Sequence, residues 1–103
     1  MEGTFRVALT PRAKAHLAQI QHWWVANRLA ARDLFTQEFE AAARRLISSP
    51  KTATIYRESN GREIRRTLLP RSRYHIYFEV NEVDRHVFIV AIWHVSRGRA
   101  PSL

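Results

Sequence analysis

Arg62, Arg65, Arg66, Arg71 and Arg73 fall within twelve residues, opposed only by Glu63, and the aromatic and imidazole side chains of His75 and Tyr77 follow directly. Residues two apart on a strand project from one side, so His75 and Tyr77 share a face. Joined by an arginine from the neighbouring strand and by His94, such a face holds a base, an acid and cations for phosphate. Those are the parts required for general acid–base cleavage of RNA. A plain polar sheet face has the same composition, and no glutamate is clearly placed beside the pair, Glu79 lying at an adjoining strand position.

Other chemistries find little support. The sequence has no glycine-rich phosphate loop with its lysine, no nucleophile elbow and no His-x-x-x-His pair. His16, His22, His75, His86 and His94 are dispersed without carboxylates at ligand spacing, so no metal site and no cofactor are expected. The absence of cysteine excludes disulfides, thiolate metal sites and cysteine nucleophiles.

Seventeen basic residues against nine acidic ones give a net charge of +8. The surrounding field attracts polyanions: nucleic acid, an anionic membrane surface or an acidic protein. Fifteen of the basic residues are arginines, suited to bidentate contact with phosphate or carboxylate. A genome-wide preference for arginine over lysine would give the same count, so position carries more information than number.

The elements that must position these residues follow from periodicity. With 103 residues, the chain is expected to form a single domain spanning residues 1–103. It has no apolar run near membrane-spanning length, and its amino terminus lacks the apolar stretch of a signal peptide, so a cytoplasmic location is expected. Thr4 to Leu9 alternates as a short strand. Thr10 then caps a helix whose first position is Pro11, and Ala13, Leu17, Ile20 and Trp24 carry the helical stripe to about Asn27.

Trp23 lies about 100° from Trp24 around that helix, so one ring enters the core and the other sits on its flank. A brief interruption at Asn27-Arg28-Leu29 leads to a second stripe, Ala31, Leu34, Phe35, Glu38, Phe39, Ala42 and Leu46, which ends at Ser48-Ser49-Pro50. Lys51 to Gly61 has no firm period and reads as a loop with at most one extended piece. Ile64 to Leu69 and Tyr74 to Val80 form a hairpin about Pro70-Arg71-Ser72. His86 to His94 is a near-continuous apolar run, expected as a central strand buried on both faces. The tail from Val95 adds no element. The fold class is therefore α+β, in the order β-α-α-β-β-β, with a helical hairpin on one face of a small, mainly antiparallel sheet and the other face partly open.

The strand ending in Leu9-Thr10, the alanine-rich helical hairpin ending in Leu46-x-x-x-Pro50, Ile64-Arg65-Arg66, Arg73-Tyr74-His75-Ile76-Tyr77-Phe78 and Val90-Ala91-Ile92-Trp93-His94 together resemble the RelE/ParE superfamily of bacterial toxins. The resemblance covers nearly the whole chain. It implies the toxin half of a type II toxin–antitoxin pair, bound in a hetero-oligomer by an antitoxin with an acidic or amphipathic segment.

RelE-like members cleave messenger RNA on the ribosome, whereas ParE-like members inhibit DNA gyrase. This sequence has Tyr74-His75-Ile76 where RelE-like toxins usually carry Tyr-Arg-hydrophobic, and nothing aromatic follows His94. Ile92-Trp93-His94 before an arginine-rich tail is similar to ParE-like chains, so the resemblance favours gyrase as the partner over ribosome and messenger RNA. It makes Arg65, Arg66, Arg71, Arg73, His94, Arg97 and Arg99 the expected contacts with target or antitoxin. On the nuclease alternative, His75, Tyr77, His94, Arg65 and Arg73 would be catalytic. Of the adjacent pair Arg65 and Arg66, only one can face the helices, and the resemblance favours Arg65 as the functional one.

Overall fold

Thr10 begins the first helix as its sequence dictates: its Oγ1 accepts a hydrogen bond from Ala13 N at 3.2 Å, and Pro11 occupies the first turn. The computed structural model describes residues 4–103. Residues 1–3, part of the stretch read for a signal peptide, lie outside them. The elements are β1 (Arg6–Leu9), α1 (Pro11–Asn27), α2 (Leu34–Ser48), β2 (Thr54–Ser59), β3 (Arg62–Leu69), β4 (Tyr74–Asn81) and β5 (His86–His94). A 3₁₀ turn at Leu29–Ala31 joins the helices, and a second at Pro50–Thr52 follows α2.

The sheet runs β1-β5-β4-β3-β2, with β1 parallel to β5 and every other pair antiparallel. Both helices cover one face. Their stripes meet Leu69, Ile76, Phe78, Val87, Ile89 and Ile92, with Phe35 and Trp24 buried between the layers. The expected alternation of Tyr74, Ile76, Phe78 and Val80 toward the helices is present. The indoles divide as the helical angle requires: Trp24 is buried, and Trp23 stays 45% exposed.

The fold class is the α+β arrangement expected, with two differences of detail. The extended piece allowed within Lys51 to Gly61 is a full edge strand, β2, followed by a tight turn in which Asn60 and Gly61 both take positive φ. Its period is hidden because the register with β3 shifts between Ile55 and Arg57, and Ile55 remains 48% exposed. β5 is interior as expected, but Phe88 is 38% exposed, so one of its faces is open near the start. The face away from the helices carries a smaller cluster, Ile64, Tyr77 and Ala91, against which Tyr56, Trp93 and Leu103 of the tail pack.

Candidate functional site: two basic clefts at one end of the sheet

The β3–β4 hairpin and the end of β5 bring most of the expected residues to one end of the molecule, but on opposite faces. Arg66 pairs with Tyr77, Leu68 with His75, and His75 with Trp93, which places all of them on the open face. Arg65 pairs with Phe78, and His94 with Tyr74, which places these two on the helix side. At that end, a basic cleft lies on each face.

The open-face cleft, about 300 Å³, is lined by Arg66, His75, Tyr77, Trp93, Arg97 and Arg99, with His94 at its border. Arg66 Nη1 lies 3.4 Å from the Tyr77 hydroxyl, and its guanidinium sits 4.8 Å over the Tyr56 ring. Tyr77 is wedged edge-on between Tyr56 at 5.0 Å and His75 at 5.9 Å and is only 2% exposed. Burial, then the charges of Arg66 and Arg73, hold the His75 imidazolium pKa below its ordinary value, so the ring favours the neutral form. Glu79, the nearest carboxylate in sequence, is taken by Arg62, whose Nε donates to it at 3.0 Å.

The tail folds back to close the cleft. Arg97 stacks 3.8 Å over the Trp93 ring, the Trp93 Nε1–H donates to the Arg99 carbonyl at 2.7 Å, and Arg12 reaches the Ser102 carbonyl.

The helix-side cleft, about 560 Å³, is lined by Trp23, Trp24, Arg28, Arg71, Arg73 and Tyr74, with His94 and Ser96 at its far wall. Its floor is the buried pair of Trp24 Nε1–H donating to the Tyr74 hydroxyl at 3.3 Å, and the His94 ring stands edge-on to Tyr74 at 4.8 Å. His94 is itself oriented by Ser96, whose N–H donates to Nδ1 at 3.1 Å.

The arginine-bearing turn is fixed from below. Glu38 of α2 accepts from Arg71 N at 2.9 Å, Ser72 N at 2.8 Å and Ser72 Oγ at 2.7 Å. Burial raises the Glu38 pKa, but the Ser72 hydroxyl, the two backbone donors and the Arg71 charge outweigh it and hold the carboxyl below its ordinary value. Arg73 closes the turn with φ of 69°, its N–H bonded to Leu69 O and its carbonyl accepting from Val95 N. A non-glycine residue in that region is held by its surroundings.

The nuclease set therefore does not sit on one face. His75 and Tyr77 meet Arg66, Arg97 and Arg99, and His94 lines both clefts, whereas Arg73 lines only the helix-side one and Arg65 lines neither. Arg65 is 8% exposed and spans the layer edge, donating to Lys51 O at 3.0 Å and Ala53 O at 2.7 Å and pairing with Glu63 at 3.1 Å. Arg66, the alternative of the pair, is the one beside His75 and Tyr77. Sequence reasoning passed over Arg28, Glu38, Tyr56 and His16 as site residues. Glu38 did carry a signal, being a carboxylate on the core-facing stripe of α2, where an acid requires buried partners. Among the described residues, no cluster of three or more histidines and carboxylates is arranged to hold a metal.

A helical hairpin on one face of a five-stranded, mostly antiparallel sheet matches the fold of RelE/ParE superfamily toxins. Residues 7–98 match the family described as the ParE toxin of the type II toxin–antitoxin system parDE, and the chain belongs to that family. Solved structures agree on the fold. A chromosomal ParDE TA system from P. aeruginosa superposes with a TM-score of 0.71 at 21% identity, over 92% of this chain and all 100% of that one. The toxin–antitoxin complex RelBE2 from Mycobacterium tuberculosis gives a TM-score of 0.62 at 15% identity, over 94% of this chain and 98% of that one. An archaeal RelE–RelB complex from Pyrococcus horikoshii OT3 gives 0.52 at 16% identity, over 94% and 99%. No curated protein matches the chain at a significant level.

Proposed function

We propose that this ParE-family toxin blocks DNA gyrase in the cytoplasm and is silenced by a cognate antitoxin that binds it as a hetero-oligomer. The observation that carries this reading is the family match across residues 7–98, which takes in the whole helix-side cleft, the open-face cleft as far as Arg97, and all of the sheet but Arg6. The clefts fit a target or an antitoxin that brings acidic groups. Charge of this kind steers encounter and fixes register more than it adds affinity. Among the described residues, no helix is long and apolar enough to cross a membrane.

The test is a supercoiling assay with purified gyrase and relaxed plasmid, run beside induction of the chain alone in a bacterial host. Loss of supercoiled product, arrested replication and intact transcripts are expected. Codon-phased transcript cuts that appear only with ribosomes, and undiminished supercoiling, would overturn the gyrase reading.

One observation favours such a nuclease as the second reading. His75 is held toward the neutral, proton-accepting form within 5.9 Å of the Tyr77 ring, with Arg66 at the Tyr77 hydroxyl. On that reading, His75→Gln would abolish cutting, whereas gyrase inhibition would survive the change.

A further inference from the structure

The helix-side cleft combines features that recognition of a carboxylate alone does not require. Its lining residues include three arginines, Arg28, Arg71 and Arg73, and no carboxylate; Glu38 lies outside the lining, bonded to the backbone of the turn and within reach of the Arg71 charge. Beside these stand aromatic surfaces: the exposed Trp23 ring, the rim of Tyr74 and the edge-on His94. The Arg28 guanidinium lies 5.8 Å from the Trp23 centroid and 5.7 Å from that of Trp24, so cation and rings form one continuous wall. A volume of about 560 Å³ falls within the range of sites for small ligands.

Cations suffice for an acidic peptide, but a flat base also needs a π surface, and proteins that hold single strands combine a cationic track with exposed rings. The turn that carries Arg71 and Arg73 is fixed by Glu38 before any ligand arrives, so their guanidiniums have a rigid backbone to extend from. His94 also borders the open-face cleft, so a strand leaving one cleft meets Arg97 and Arg99 in the next.

We propose that the helix-side cleft binds an unpaired nucleotide of a single-stranded nucleic acid, its base against Trp23 and Arg28 and its flanking phosphates on Arg71 and Arg73. This holds whether gyrase or the ribosome is the target.

The test is fluorescence anisotropy of a labelled single-stranded oligothymidylate of eight nucleotides titrated with the full chain over a range of salt concentrations. Binding should weaken with salt. Trp23→Leu should cost about tenfold in affinity while leaving the salt slope unchanged, because stacking is lost and charge is not. Arg71→Ala should weaken binding and flatten the slope of log K against log salt by about 0.7, the share of one phosphate on a single strand. Arg45→Ala, on the exposed part of α2, should match wild type.

Thermal melting of each variant confirms folding, which Trp23 and Arg71 do not support from the core. Wild-type affinity in Trp23→Leu, equal loss in Arg45→Ala, equal binding of duplex of the same phosphate count, or equal competition by polyglutamate would each overturn the proposal. Polyglutamate competition would assign the cleft to an acidic protein instead. A chain that blocks supercoiling yet binds no oligonucleotide would sink this inference and leave the toxin reading intact.

Discussion

The two clefts are built from the same residue types but are supported by opposite means. On the helix side, the arginines stand on a helix end and a turn, and the turn is held through its backbone by a carboxylate from another element. On the open face, Arg66 stands on an interior strand among packed rings, and Arg97 and Arg99 come from a tail latched onto Trp93. A turn can be moved without unfolding the sheet, whereas a strand cannot. The Arg71 and Arg73 charges therefore depend on one remote residue, and the Arg66 charge depends on the sheet itself. Adjacent residues divide along the same line: Arg65 is structural in its contacts, and Arg66 reaches the cleft.

The sharpest test of this division is to change each arginine of that pair to methionine. Arg65→Met leaves the Lys51 and Ala53 carbonyls without their charged donor in a part-buried setting. We expect a loss of about 3 kcal/mol in unfolding free energy, roughly 15 °C in Tm. Arg66→Met removes a cation resting over Tyr56 and a long contact to the Tyr77 hydroxyl, and should cost about 0.5–1 kcal/mol. Urea unfolding of both variants measures the difference. Equal costs would show that the two faces do not divide structure from surface as described.

Next in size is Glu38→Gln. One of the three turn donors must then face an amide N–H₂, and we expect a loss of about 1–2 kcal/mol. Because the folded pKa lies below the ordinary 4.5, the wild-type contribution is complete above that value and is lost as pH falls through the folded pKa. The variant should lack that component of acid unfolding. Amide hydrogen exchange should rise at Arg71 and Ser72 and stay unchanged at Arg66. Faster exchange in both places would mean that the turn and the strand are not supported separately.

Much of this arrangement was legible in the residues. The stripes of α1 and α2, the Thr10-Pro11 start and the alternation of β4 are local patterns with one physical answer each, and they fixed the layers. Period 2 put His75 and Tyr77 together for the same reason. What local pattern does not contain is register across strands. Only the pairing of Tyr74 with His94 shows that His94 belongs to the face opposite His75. Only the pairing of Arg65 with Phe78 decides which arginine faces the helices. β2 escaped because a bulge breaks its period. The Glu38 contact to the turn spans more than thirty residues, a distance over which sequence spacing carries no information.

The smallest effect expected comes from the sheet edge where the two faces meet. β1 stops at Leu9, and past it the Ile92 N–H of β5 donates to His16 Nδ1 of α1 at 3.1 Å, so a side chain takes the place of the missing strand. That bond requires an unprotonated Nδ1. Burial first, then the charges of Arg12 and Arg97, lower the His16 pKa from its ordinary 6.5. A depressed pKa means that the unfolded chain binds the proton more readily, so stability is full above about 6.5 and declines as pH falls toward the folded value. His75 shifts the same way and adds to the slope, so the test must separate the two. His16→Asn keeps an acceptor near the Nδ1 position and removes the titration. It should retain neutral-pH stability to within about 1 kcal/mol and reduce, but not abolish, the loss between pH 6.5 and 5. His16→Ala should show the same reduced slope from a lower neutral-pH starting point. If both variants keep the wild-type slope, His75 on the open face is the dominant titrating group, and the edge bond to Ile92 does not couple folding to pH.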